Sequence, residues 1–385
     1  MVALPLPSDG GASFDVAIVG GGIVGCSVAL GLVRLGARVA ILDEADRAFR
    51  ASRGNFGMVW VQGKGLDFPA YARLTRRASD GWADFSRFLF EETGIDTGFS
   101  RPGGLGFCLT QEEFEAKRSA MTRLAEQTEE LFKFEMLNRG GVAGLLPWIG
   151  GEIAGAVYCP HDGGANPLNL LRALQSVLAK SGATLIAGGK VRNIAGDGFG
   201  YSISTDEGKI GAARVLLAAG LGNRELAPQV GLEAPVRPVR GQILVTNRLA
   251  PFMPYVSNIM RQMPEGTCLI GDTMEEVGFD DSVLTASMSV LANRALRVFP
   301  SLGHASLVRS WGALRIMSPD GLPLYARSPT HPGAWLATVH SGVTLAPVHC
   351  EYLPKAILDD EIPDVLAPFS PARFTVGNTS HITSH

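Results

Sequence analysis

Hydrophobic residues fall along this chain in short blocks whose spacing alternates between the two periods of regular structure. The run FDVAIV at 14–19 is almost unbroken apolar, as expected of a strand covered on both faces. IVGCSVALGLVRL at 23–35 follows with helical spacing, and RVAILD at 38–43 is a second short apolar run. Strand, helix and strand in that order predict a βαβ unit. Helices are predicted over 71–93 and 111–132, where charges occupy one face and Leu or Phe the other. Between them, 101–109 reads as an irregular glycine-rich strand.

A second α/β stretch opens at Pro167, whose fixed φ suits the first turn of a helix running to about Ser181. Strands follow at 183–187, 190–194, 201–205 and 213–220. Residues 236–311 are β-rich with one helix near 283–298, and the chain returns to a strand at 334–339 and a helix at 343–357. The fold class is therefore α/β: a Rossmann-type nucleotide-binding domain with a discontinuous, β-rich α+β substrate domain. The first is drawn from residues 1–80, 147–232 and 312–375, and the second from 81–146 and 233–311, leaving 376–385 as a frayed polar tail.

Composition narrows the function classes. Charged residues make up 18% with a net charge of -3 and no basic run, so no nucleic-acid surface is indicated. No apolar stretch is long enough for a membrane span, and the N-terminus lacks the basic and apolar regions of a signal peptide. The five cysteines are scattered without a C-x-x-C pair, which argues against a zinc or cysteine-ligated centre and fits a reduced, cytoplasmic setting. No metal ligands are assigned. The 47 glycines fall in clusters, as where backbone approaches a ligand.

The clearest cluster is Gly20-Gly21-Gly22-Ile23-Val24-Gly25, a G-x-G-x-x-G directly after a strand and opening a helix. Such glycines permit the tight turn and the close approach of a pyrophosphate, which the unpaired N–H groups of the helix start can bind. Asp43, with Glu44 beside it, closes the second strand where a carboxylate can accept hydrogen bonds from a ribose. The next stretch, Ala51-Ser52-Arg53-Gly54-Asn55-Phe56-Gly57-Met58, suits a loop running along a long cofactor toward a ring system, favouring FAD over NAD.

These residues, with ARVLLAAG at 213–220, PVRGQILV at 238–245, the stretch from Gly271 to Asp280, the segment Trp311 to Gly321 and the run from His340 to Pro347, resemble the D-amino-acid oxidase superfamily of FAD enzymes. The resemblance runs from about 14 to 374, and NFGMVWVQGKG at 55–65 is most similar to the β subunits of opine oxidases, with hydrogen cyanide synthase and D-hydroxyproline dehydrogenase subunits nearby. It implies an oxidoreductase of the CH–NH bond with noncovalent FAD, acting on an amino acid or opine within a hetero-oligomer of redox subunits. On this resemblance Arg315 captures the substrate carboxylate, for which a guanidinium fork is well matched. An interdomain salt bridge is the competing use of that arginine.

The resemblance also assigns cofactor contacts to Gly20, Gly22, Ile23, Val24, Gly25, Asp43, Glu44, Ser52, Arg53, Asn55, Phe56, Gly57, Met58, Val191, Ala219, Gly220, Gly312, Ser341, Gly342, Val343 and Thr344. The segment His340 to Thr344 is expected to bring a helix start to the ring edge where reduction places negative charge. His340 either adds charge there or packs. Trp60, Gln62 and Lys64 follow the cofactor loop and are expected to wall the substrate cavity, with a solvated lysine as the alternative for Lys64, and Tyr255 stands near the position of a substrate-facing tyrosine in relatives without matching its register. Two further readings compete with a partnered dehydrogenase: a free-standing oxidase that releases hydrogen peroxide, and a non-catalytic scaffold protein that carries a flavin without turnover.

Overall fold

In the computed structural model, which describes residues 14–44, 51–129 and 131–374, strand β1 (Phe14–Val19) lies inside an eight-stranded sheet. It pairs in parallel with β2 (Val39–Asp43) on one side and with Gly208–Leu217 on the other. Val16 and Ile18 face one apolar core while Ala17 and Val19 face a second, which is why the strand carries no polar position between them. Helix α1 (Ile23–Arg34) packs on the first face, with helices Pro69–Thr93, Pro167–Lys180 and Ala346–Asp359. Parallel strands Thr184–Ala187 and Ala334–Thr338 extend the sheet on either side.

Two four-stranded sheets form the other half. Arg237–Arg248 runs antiparallel to both Thr267–Gly271 and Leu307–Met317, with Met260–Gln262 at the edge. Gly104–Cys108 pairs with Gly155–Cys159 and Val256–Ser257, and Glu135–Asn138 completes that sheet. One core joins the two sheets through Leu105, Phe107, Leu244, Ile270 and Phe299. Gly155–Cys159 thus hydrogen-bonds in this half and Leu307–Met317 belongs to it throughout its length, so boundaries drawn at 147 and 312 cut across strand pairing.

Several element ends differ from expectation. The helix expected to 132 stops at Gln127, because the Thr128 hydroxyl donates to the Leu124 carbonyl at 2.6 Å and closes the last turn. The glycine-rich strand is confined to Gly104–Cys108. The helix expected from 343 begins at Ala346, preceded by a turn in which Leu345 N–H donates to the Ser341 carbonyl at 3.0 Å. The strands Glu135–Asn138, Gly155–Cys159 and Leu324–Arg327 were not apparent in the sequence, being short and without clear alternation. The tail at 376–385 and the N-terminal residues read as lacking a signal peptide lie outside the described residues. Among the described residues, no helix is long and apolar enough to cross a membrane.

Candidate active site

The turn after β1 is built from glycine by necessity. Gly20 has φ +112°, and a Cβ there would overlap the Ala218 carbonyl; a Cβ on Gly25 would overlap the Gly20 carbonyl oxygen. Two side chains then fix the turn. The Asp43 carboxylate accepts from Gly21 N–H at 2.8 Å, and Ser52 Oγ accepts from Ile23 N–H at 3.0 Å, at the first turn of α1. Asp43 therefore braces the turn, besides lining the space expected to hold a ribose.

A cavity of about 530 Å³ opens above this turn. Gly20, Gly22, Ile23 and Val24 form its floor; Asp43, Glu44 and Val191 stand at one end, where Lys190 reaches Glu44 at 3.6 Å. Ser52, Arg53 and Asn55, Ala219 and Gly220, and His340, Gly342 and Val343 also line it. The size of the cavity and the glycine turn at a helix N-terminus fit a dinucleotide with its pyrophosphate over α1.

Other expected cofactor residues lie behind this surface. Gly25 supports the turn. Phe56, Gly57 and Met58 continue the loop, with Met58 paired to Gly164. Gly312 does not line the cavity: a Cβ there would meet the Asp281 carbonyl at 2.5 Å, so the glycine makes room for the 280–282 segment. Ser341 turns its hydroxyl to Lys64 and Tyr71, and Thr344 Oγ1 donates to the Met58 carbonyl while accepting from Trp60 N–H, each at 3.2 Å. Thr344 thereby ties the 340–344 turn to the loop after Ser52.

Arg315 lies between Leu314 and Ile316, which line the cavity, so strand alternation turns it to the other face. There its guanidinium lies over Gly241, pairs with the Asp272 carboxylate, and leaves Nη1 buried without an acceptor. The salt bridge foreseen as the competing use of this arginine exists, and one donor group remains without an acceptor. The charges of Arg315 and Lys64 also reach His340. Burial, and then these two charges, push that imidazole down to about 3, so it is neutral at physiological pH and adds no charge.

Lys64 is not a solvated surface lysine. Its ammonium donates to Ser341 Oγ and lies 5.7 Å from the Tyr71 ring centroid, and Tyr71 OH donates to Ser341 Oγ at 3.0 Å. Tyr71 was missed in the sequence because nothing local marks a helix tyrosine as a neighbour of residue 341. Gln62 does not wall the cavity; it is buried, donating to Asp162 at 2.6 Å. Tyr255 packs edge-on against Tyr158 at 6.0 Å on the margin of the second half's core and does not line the cavity.

The segment from Asp272 to Ser282 supplies Phe279 and Asp281 to the cavity wall. It is fixed by Arg240, which is fully buried and binds Glu275 at 2.5 Å and Asp280 at 2.6 Å. Burial raises the Glu275 carboxyl, but hydrogen bonds from Thr273, Arg240, Gln242 and Ser287 outweigh it and hold the group at about 2.

A Rossmann-type cradle with an acidic residue closing the second strand defines a dinucleotide-binding protein. Residues 15–355 match the DAO family, described as FAD dependent oxidoreductase, and the chain belongs to that family; its cofactor is FAD. The chain is 40% identical over 364 residues to an opine oxidase subunit of Agrobacterium tumefaciens (strain Ach5), covering 94% of this chain and 97% of the relative. It is 29% identical to the glycine oxidase of Geobacillus kaustophilus (strain HTA426) over 94% of this chain and 97% of that protein. The crystal structure of glycine oxidase from Geobacillus kaustophilus superposes with a TM-score of 0.86 at 28% identity, covering 93% of this chain and 98% of that one.

Proposed function

We propose that this protein oxidises the Cα–N bond of a carboxylated amine, an amino acid or an opine, and passes the electrons to partner subunits that carry further redox groups. The observation that carries the reading is the buried, unsatisfied Nη1 of Arg315, whose charge reaches His340 in the cavity lining although the side chain itself is not part of that lining. A buried donor without an acceptor is costly, and a substrate carboxylate relieves that cost. The relative from Agrobacterium tumefaciens is named as one subunit of its oxidase, which supports a multi-subunit assembly.

FAD supplies the two-electron acceptor for the hydride leaving Cα. Gly20, Gly22 and the N–H groups at the start of α1 would hold its pyrophosphate, Asp43 and Glu44 its ribose, Val191 the adenine side, and Asn55, Gly342 and Val343 the ring end. Cys350 sits in the last helix, and the Gly31 position packs against its carbonyl away from the cavity, consistent with noncovalent attachment. Arg315 orients the substrate by its carboxylate, and the amine must be neutral before hydride loss. The imine product is released to hydrolysis by water.

An anaerobic reduction screen tests this reading. A panel of opines, D-amino acids, glycine and hydroxyproline is added to the FAD-loaded protein, and the visible flavin band is followed. Bleaching by at least one carboxylated amine is expected; a band unchanged by the whole panel overturns the reading. The likeness to glycine oxidase favours a second reading, a free-standing oxidase, which predicts hydrogen peroxide release by the isolated chain in air.

A further inference from the structure

Arg261 is a buried cation with no carboxylate partner among the described residues. It is 4% exposed, and its Nη1 donates to three backbone carbonyls: Gly57 at 2.5 Å, Ala165 at 2.7 Å and Phe56 at 3.2 Å. The space is shaped for a guanidinium. A Cβ on Gly57, whose φ is +82°, would overlap Nη1, and a Cβ on Gly164 would come within 3.0 Å of Cζ. Burial lowers the group to about 10, so it stays protonated at neutral pH.

The location gives this charge its meaning. The chain leaves Ser52 at the start of α1, passes Asn55 on the cavity wall, and reaches Met58 and Trp60, which are tied to Thr344 in the turn whose residues His340, Gly342 and Val343 line the cavity. Phe56 and Gly57 lie between those two points, so Arg261 braces the loop on the side of the cavity assigned to the ring end. A neutral donor would satisfy the same carbonyls. Burying an unpaired cation instead carries a desolvation cost, which a purely structural clamp does not require.

We propose that Arg261 sets the reduction potential of the bound FAD, its fixed positive charge stabilising the negative charge that two-electron reduction leaves on the ring system. The proposal rests on the assignment of the ring end to the His340–Val343 side of the cavity. It adds a positioning and electrostatic residue that makes no contact with substrate. A fixed charge in a poorly hydrated place acts strongly because little water screens it.

The test compares Arg261→Gln, which keeps donors but loses the charge, with Arg261→Lys, which keeps the charge. FAD content is read from the visible spectrum and the midpoint potential from equilibration with reference dyes. The Gln variant is expected to shift the ratio of reduced to oxidised flavin at least tenfold toward oxidised, about 30 mV for a two-electron couple. The Lys variant is expected to stay within threefold of the unaltered protein. Equal potentials in all three proteins, or equal shifts in both variants, overturn the proposal. If Gln fails to hold FAD, the Lys variant must still fall within the threefold limit, and a larger shift overturns it. Loss of FAD from both variants makes the clamp structural and also overturns it. Substrate bleaching of the unaltered protein is scored separately, so failure here is distinguishable from failure of the proposed activity.

Discussion

The Arg315 guanidinium lies across Gly241, a position where any side chain would occupy the same space, and meets the Asp272 carboxylate at its far edge. Glycine on one strand thus makes the seat for an arginine on the next. Arg315→Ala is expected to lower kcat/KM for a carboxylated amine by about 10- to 100-fold, the range for a lost hydrogen bond to a charged group, while FAD content is unchanged. Gly241→Ala should mimic it by displacing the guanidinium. Steady-state kinetics with the flavin spectrum as control checks both, and normal turnover by Arg315→Ala would remove the carboxylate role.

Asp272 competes for the same guanidinium. The pair is partly open to solvent, with side-chain exposures of 13% for Arg315 and 40% for Asp272. Such pairs contribute about 0.2–1 kcal/mol, so Asp272→Asn is expected to lower KM by up to about fivefold with kcat little changed. A rise in KM would show that Asp272 orients Arg315 instead of masking it.

Gly25 tests the cofactor cradle. Its missing Cβ is what allows α1 to begin against the Gly20 carbonyl. Gly25→Ala is expected to yield colourless protein that does not regain the yellow chromophore on incubation with FAD. Stoichiometric flavin in that variant would mean the turn yields more readily than its geometry implies.

Asp162 gives a pH dependence. It is fully buried, accepts from Val61 N–H at 2.6 Å and Gln62 N–H at 3.2 Å, and burial raises its carboxyl to about 6 despite those bonds. The folded value lies above the unfolded one, so the folded state holds the proton longer. Its contribution is present in full below about pH 4 and is lost as pH rises through about 6, by about 3 kcal/mol at most. Asp162→Asn should remove that decline, since a neutral amide carries no ionisation cost. Denaturant unfolding at pH 4.5 and pH 7 checks it: the unaltered protein should lose stability relative to the variant at the higher pH, and parallel behaviour would refute the assignment.

The βαβ unit, the glycine turn and Asp43 were legible in the sequence because their signals are local. An apolar strand, a helix period and glycines at fixed spacing lie within one contiguous stretch, and the strand's burial on two faces leaves little choice of pattern. Lys64 and Ser341, Arg261 and Gly57, and Asp162 and Val61 could not be read as neighbours. They are separated by 277, 204 and 101 residues.

The sequence by itself determined that a dinucleotide cradle stands at the N-terminal end of this chain and that residue 315, an arginine, stands near the end of its β-rich stretch. The tertiary structure decided which face of its strand that arginine occupies, that Asp272 already holds it, and that His340 is neutral. Register and strand order bring distant backbone and charge together, and desolvation then sets which groups remain ionised. Neither effect leaves a pattern in the order of the residues.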